Sequence, residues 1–106
     1  MTTFDDREKG YEKKFAHDSE LRFRAEALRN KTLAEWAGSK MGLSGFELEN
    51  YIKDVRKADL KEKGDDDVFS KVKADLVSKG IQIQDTEIRK IMNEALARAM
   101  IDLQKP

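Results

Sequence analysis

Cysteine is absent from this 106-residue chain, and proline occurs only as Pro106. Without cysteine the chain has no disulfide scaffold and no thiolate metal site, and it suits a reducing compartment. Without internal proline, nothing forces a helix to break. The chain also has a single histidine and no glycine-rich phosphate loop of the Walker or dinucleotide-binding type, so the residue types favour a protein that is not an enzyme.

An excess of charge of either sign is also absent, because 21 lysines and arginines balance 21 aspartates and glutamates. No overall field therefore attracts nucleic acid or an anionic membrane. Apolar runs are far too short to cross a membrane, and the charged N-terminus is unlike a signal peptide, so we expect a cytoplasmic protein. An apolar fraction of 39% is enough for one small core.

Glycines separate four patterns of helical period, which predicts an all-α chain. The first pattern runs from about Asp18 to Met41 and ends at Gly42. Gly10, before this pattern, and Gly38, within it, are the only positions at which a helix is expected to weaken internally. Ser44 followed by Glu47 is typical of a helix start, with Leu43 and Leu48 spaced for a hydrophobic staple.

The second helix is predicted to run to about Lys63, with Leu60 on its apolar face, and to end at Gly64. The third follows Asp65 to Asp67 and ends at Gly80, with Ile81 placed to contact Leu76. Residues 81–84 are predicted to be an extended linker. The last helix begins near Gln84 or Asp85, and its apolar stripe comprises Ile88, Ile91, Met92, Ala95, Leu96, Ala99, Met100 and Leu103.

These four segments predict an antiparallel four-helix bundle over residues 18–106 with a mobile arm at residues 1–17. The arm carries Phe4, Tyr11 and Phe15 among many charges, which is too little apolar surface to order it on a core. Its aromatic spacings of seven and four form one stripe if the segment is helical. We therefore expect an arm that folds on a partner.

Several residues outside the arm admit two interpretations. The triplet Asp65 to Asp67 is interpreted as a helix cap rather than a metal site, because it lacks the ligand spacing of a calcium loop. Trp36 is interpreted as core rather than as a ligand pocket. His17 is either an ordinary solvated residue or a pH sensor at the junction of arm and bundle.

A basic stripe is a further pattern in the first helix, formed by Arg22, Arg24, Arg29 and Lys31. It suggests RNA or DNA binding only weakly, because Glu20 and Glu26 dilute it. Charge pairs four residues apart, from Asp18 to Arg22 and from Glu20 to Arg24, account for the same residues. We expect no nucleic-acid partner.

The segments Phe4 to Lys9, Lys14 to Asp18 and Arg29 to Lys31, with Leu21, Phe23, Ala25, Glu26, Leu33, Trp36 and Ala37, resemble the zeta-subunit family. Members of this family are small inhibitors of the alphaproteobacterial F-type ATP synthase. The resemblance extends over essentially the whole chain, including residues 64–69 and the last helix. It implies a four-helix protein whose N-terminal segment enters a catalytic interface of the ATPase and blocks hydrolysis.

A shorter resemblance links the first helix to the mitochondrial ATPase inhibitor protein, through Tyr11, Lys13, Lys14 and the step Phe23-Arg24-Ala25. Together the two resemblances imply that the arm binds between catalytic subunits and against the rotor. The implied contact residues are Phe4, Asp5, Asp6, Arg7, Glu8, Lys9, Tyr11, Glu12, Lys13, Lys14, Phe15, Phe23 and Arg24. We expect no cofactor and no membrane insertion, with the protein held at the inner membrane only through the synthase. The apolar stripe of the last helix fits a free monomer, and the alternative is a dimer that shares this wide stripe.

One departure from the resemblance concerns Tyr11, where the family often has phenylalanine. A buried hydroxyl needs a partner, so this change is expected to weaken inhibition. The alternative function is a helical bundle that keeps the fold without strong inhibition and binds a nucleotide or other anion near Trp36.

We expect removal of residues 1–17 to leave the bundle folded, because the apolar stripes from Leu21 onward do not depend on Phe4, Tyr11 or Phe15. Urea unfolding of the truncated and full chains measures this. A drastic fall in the unfolding midpoint would place the arm in the core.

Overall fold

The computed structural model describes the backbone of residues 3–59 and 65–104 and the side chains of residues 19–59 and 65–104. These residues form α1 (Thr3–Lys40), α2 (Gly45–Asp59), α3 (Asp66–Ser78) and α4 (Asp85–Gln104), without a strand in the described ranges. The predicted all-α, four-helix class is confirmed. The molecule measures 65 × 25 × 22 Å, because the 38 residues of α1 rise about 1.5 Å each.

Helix α1 begins earlier than the periodicity predicts, at Thr3 rather than near Asp18. It passes through Gly10 and Gly38 without ending, because lysine, glutamate and arginine favour helix and no proline interrupts it. The secondary structure therefore does not mark a boundary at residue 17, and the division into arm and bundle stays a prediction. Gly38 is buried, and a β-carbon there would lie 2.5 Å from Leu48 Cδ1, so α1 and α2 approach closely at this point.

Two helices end in the way that the sequence predicts. At the end of α1, Leu43 N–H donates to Gly38 O at 2.8 Å and Gly42 N–H donates to Ser39 O at 3.1 Å. At the end of α3, Ile81 N–H donates to Leu76 O at 3.0 Å and Gly80 N–H donates to Val77 O at 2.9 Å. Both are Schellman motifs, and both need a left-handed residue, which Gly42 (φ 77°) and Gly80 (φ 76°) provide.

The other predicted boundaries have mixed outcomes. Helix α2 begins at Gly45, directly after Ser44, and Glu47 lies in its first turn, as predicted. Its predicted end near Lys63, with Leu60 and Gly64, lies outside the described residues. Residues 81–84 have no regular secondary structure, and α4 begins at Asp85, which confirms the linker and the last helix.

One core joins the four helices in antiparallel order. It contains Leu33, Ala34 and Ala37 of α1, Tyr51 and Val55 of α2, Val68, Val72 and Leu76 of α3, and Ile88 and Met92 of α4. Small side chains on α1 let its neighbours approach closely. The predicted apolar stripe of α4 is confirmed at Ile88 and Met92.

We expect Leu33→Ala to lower the free energy of unfolding by about 2–5 kcal/mol, because it leaves a cavity in this core. Leu28→Ala is the matched control on the same helix, since Leu28 is 38% exposed and Leu33 is 0% exposed; it should cost roughly a third as much or less. Urea unfolding of both variants measures the difference. Equal losses would contradict the packing described.

Tyr51 is the buried titratable side chain of this core, and within the described residues its hydroxyl has no hydrogen-bond partner. Burial raises the pKa of the phenol, and the charge of Asp75 raises it further. A raised folded-state pKa stabilises the fold below the ordinary value of about 10 and loses that contribution as pH rises above it.

We therefore expect the free energy of unfolding to fall less steeply with rising pH above about 10 in Tyr51→Phe than in the parent chain. At neutral pH the substitution should change stability by no more than about 1 kcal/mol, because it removes a hydroxyl that makes no bond. Tyr11→Phe is the matched control, since Tyr11 and Tyr51 are the two tyrosines. Identical alkaline profiles for the parent and Tyr51→Phe would refute the assignment.

Candidate partner-binding surface

The candidate surface begins where α1 extends beyond the ends of α2 and α3. Helix α2 runs antiparallel to α1, and its last residue, Asp59, accepts a hydrogen bond from Asn30 Nδ2 at 2.9 Å. Residues of α1 before Arg29 therefore lie past the described end of α2. Asp65, directly before α3, lies beside Arg29, so the same residues lie past the start of α3.

Helix α4 accompanies α1 further toward the arm. Leu21 and Leu103 line one small pocket between these helices, and Leu28 lines a second with Ala95 and Ala99. Ala25, which lies between Leu21 and Leu28 in the sequence, is fully buried. One side of α1 is therefore packed along residues 21–28, and the other side faces solvent.

Phe23 lies on the solvent side of this segment and is 67% exposed. By helical period it is opposite Leu21 and Leu28, which face α4. Arg24 is exposed and donates to Glu20 Oε1 at 2.8 Å, and Arg22 donates to Glu26 Oε1 at 3.2 Å. The predicted pair of Glu20 with Arg24 is confirmed, and Arg22 is paired with Glu26. The partner first predicted for Arg22, Asp18, has its side chain outside the described residues.

The rest of the predicted contact set lies outside the residues whose side chains are described. It comprises Phe4, Asp5, Asp6, Arg7, Glu8, Lys9, Tyr11, Glu12, Lys13, Lys14 and Phe15, and the same applies to His17. Their roles stay predictions. The backbone of residues 3–17 continues α1, so all these positions belong to the helix that carries Phe23 and Arg24.

A polar cluster lies where α1 leaves the bundle, and we call its residues the arginine clasp: Arg29, Asn30, Asp59, Asp65, Asp66 and Arg89. Arg29 is 3% exposed and Asn30 is 2% exposed. Arg29 donates to Asn30 Oδ1 from Nε at 3.1 Å and from Nη2 at 3.0 Å. It also lies 3.7 Å from Asp59 Oδ1 and 3.9 Å from Asp65 Oδ2.

Arg89 extends the clasp to α4. It donates to Asp65 Oδ1 at 3.0 Å and to Asp66 Oδ1 at 2.7 Å, and its guanidinium carbon lies 4.2 Å from the centroid of the Phe69 ring. The hydrogen bond to Asp66 raises the pKa of Arg89 further above its ordinary value. The clasp therefore joins all four helices through charge-assisted hydrogen bonds and ion pairs.

The clasp corrects two sequence-based interpretations. Asp65 makes no side-chain cap on α3, because its carboxylate is bound by Arg89 and lies beside Arg29. The metal alternative also finds no support, since the described side chains contain no acidic or histidine cluster suited to a metal ion. Arg29 does not belong to a surface basic stripe, because it is buried while Arg22, Arg24 and Lys31 are exposed.

The sequence did contain a signal for the clasp. Arg29 stands between Ala25 and Leu33 in a ladder with a spacing of four residues that continues to Ala37, and all three apolar members are fully buried. A charged residue in such a ladder must be buried with partners. Those partners come from Asp59 and Asp65, distant in sequence, so they could not be assigned from periodicity.

Trp36 packs against the core, as predicted, with the Lys40 ammonium 5.2 Å from the centroid of its ring. A groove of about 550 Å³ lies instead on α3 and α4, and Phe69, Asp85, Arg89, Lys90 and Glu94 are among its lining residues. Asp85 and Glu94 place carboxylates there, and Arg89 is already bound by Asp65 and Asp66. Its charges are therefore mixed, unlike those of an anion site.

None of the described helices is sufficiently long and apolar to span a membrane. A comparison with curated proteins finds no match. The model of one protein family, the ATPase inhibitor subunit zeta, matches residues 1–102, which include all of α1, the clasp and most of α4. Because this match covers nearly the whole chain, the chain belongs to the ATPase inhibitor subunit zeta family.

Proposed function

We propose that the protein inhibits ATP hydrolysis by the F-type ATP synthase and that residues 1–17 are the inhibitory arm. Membership of an inhibitor-subunit family supports the general activity. The observation that carries the finer proposal is the continuity of α1, which runs unbroken from the core at Leu33 to Thr3. An arm that continues a core helix can enter a cleft while the bundle stays outside.

The mechanism is a wedge. The arm binds as a helix between two catalytic subunits and against the rotor, and it favours one conformation of a cycling enzyme. One bound inhibitor then stops rotation without occupying the nucleotide site. Phe4, Tyr11 and Phe15 fill apolar clefts, and the charged residues between them fix the register through ion pairs across the interface.

Phe23 and Arg24 extend this interface toward the bundle. Phe23 presents a large exposed aromatic surface, which is the type of side chain that dominates binding energy once a partner buries it. The exposed pair of Arg24 with Glu20 is worth only about 0.2–1 kcal/mol in solution. It can therefore be exchanged for pairs with a partner at small cost.

This proposal places the protein on the cytoplasmic side of the inner membrane, bound peripherally through the synthase. His17 would lie at the mouth of the interface, where its protonation makes inhibition depend on pH near neutrality. The alternative function, binding of a nucleotide or other anion, receives less support, because side chains of both charges line the α3–α4 groove and Trp36 packs against the core.

We expect the full chain to lower ATP hydrolysis by the purified ATPase of its source organism, and Phe4→Ala with Phe15→Ala to weaken this inhibition. Each lost aromatic contact costs about 2 kcal/mol if it is a hot spot, which is about thirtyfold in affinity. Hydrolysis rates across inhibitor concentrations measure the effect. Absence of both binding and inhibition by the parent chain, under turnover and across pH 6–8, would overturn the proposed function.

A matched pair of exposed phenylalanines tests the extension of the interface to the bundle. Phe23→Ala should weaken inhibition by about tenfold, since tenfold corresponds to about 1.4 kcal/mol of lost contact energy. Phe46 is 82% exposed at the start of α2, at the end of the bundle remote from the arm, and Phe46→Ala should leave inhibition unchanged. If neither substitution weakens inhibition, the interface is restricted to the arm. If both weaken it equally, the interface extends over the bundle. Either result would contradict the proposed role of Phe23.

A further inference from the structure

The arginine clasp lies at the point where α2 and α3, as far as the structure describes them, no longer pack beside α1. After Arg29, α1 packs against α2, α3 and α4, and before it α4 alone runs alongside the described part of α1. Asp59 and Asp65, which end α2 and precede α3, both lie within 4 Å of Arg29. The clasp is therefore the last described tie between α1 and the α2–α3 half of the bundle.

A pair of apolar side chains at the position of the clasp would fix the orientation of α1 less firmly. Guanidinium and amide groups bond in fixed planes and at fixed angles, whereas hydrophobic contacts are non-directional. Arg29 uses two nitrogens on one Asn30 oxygen, and Asn30 donates its own hydrogen to Asp59. The bonds between Arg29 and Asn30 fix these two side chains relative to each other. Their contacts with Asp59 and Asp65 leave α1, and these contacts oppose rotation of α1 about its axis as well as its tilt away from α2 and α3.

We infer that Arg29 and Asn30 are positioning residues, which set the direction and rotational phase in which α1 leaves the bundle. This inference rests on the proposed function, because the arm is the part of α1 that the clasp would aim. A preset direction lowers the entropy lost on binding. The clasp then strengthens inhibition without touching the ATPase.

The test uses three full-length variants: Arg29→Met, Asp59→Leu and the double variant. Each single change leaves a buried polar partner unpaired and should lower stability. The double change replaces both charges with apolar side chains but leaves the buried Asn30 amide without its two partners, so stability should recover only in part. Inhibition should nevertheless stay about tenfold weaker than for the parent, because apolar packing does not restore the direction. Arg98→Met, which removes an exposed pair with Asp102, is the control and should change neither quantity.

Distances between spin labels give a readout that does not depend on the ATPase. The chain has no cysteine, so Ser19→Cys on α1 and Ser70→Cys on α3, both exposed, can carry the labels. We expect a narrow distance distribution in the parent chain and a broad one in Arg29→Met and in the double variant. If the parent chain fails to inhibit, the proposed function falls while the distances still test the clasp.

Three outcomes overturn the inference. The first is an unchanged distance distribution in Arg29→Met. The second is inhibition that follows stability and recovers in the double variant, which would make the clasp merely structural. The third is weak inhibition in Arg29→Met with full inhibition in Asp59→Leu, which would indicate that Arg29 contacts the ATPase directly.

Discussion

The packing of α2 and α4 against the second half of α1 is the interaction on which the rest of the structure depends. Leu33, Ala34 and Ala37 lie at its centre and are fully buried. Small side chains bring the helices close together, and the buried Gly38 leaves room for Leu48. The described packing occupies residues 21–38 of α1, and the proposed function rests on the part of the helix that precedes it.

The buried charge of Arg29 then sets the direction of the part of α1 that precedes it. The core alone would stabilise α1, but its contacts are apolar and non-directional. The arginine clasp adds a fixed geometry at the exit of the helix, with Arg29 and Asn30 almost fully buried. Such clusters contribute little net stability after the cost of desolvation, so their value in this fold lies in orientation.

The fold could be predicted largely from the sequence, because glycine positions and apolar periods follow local rules. Gly42 and Gly80 terminate helices through backbone conformations that few other residues adopt. The apolar stripe predicts α1 only from about Asp18, whereas the helix begins at Thr3, since an apolar stripe reports packing and not helix formation. The clasp could not be predicted, because Asp65 stands where a helix cap is expected and its partners Arg29 and Arg89 are distant in sequence.

The central claim is that the arm enters the ATPase as a continuation of α1 while the far end of the bundle stays outside. Site-specific photo-crosslinking tests it most directly, with a photoreactive side chain at Tyr11 in one variant and at Phe46 in another, each bound to the purified ATPase during turnover. We expect crosslinks from position 11 to the catalytic subunits and none from position 46. Crosslinks from position 46 without any from position 11 would contradict it.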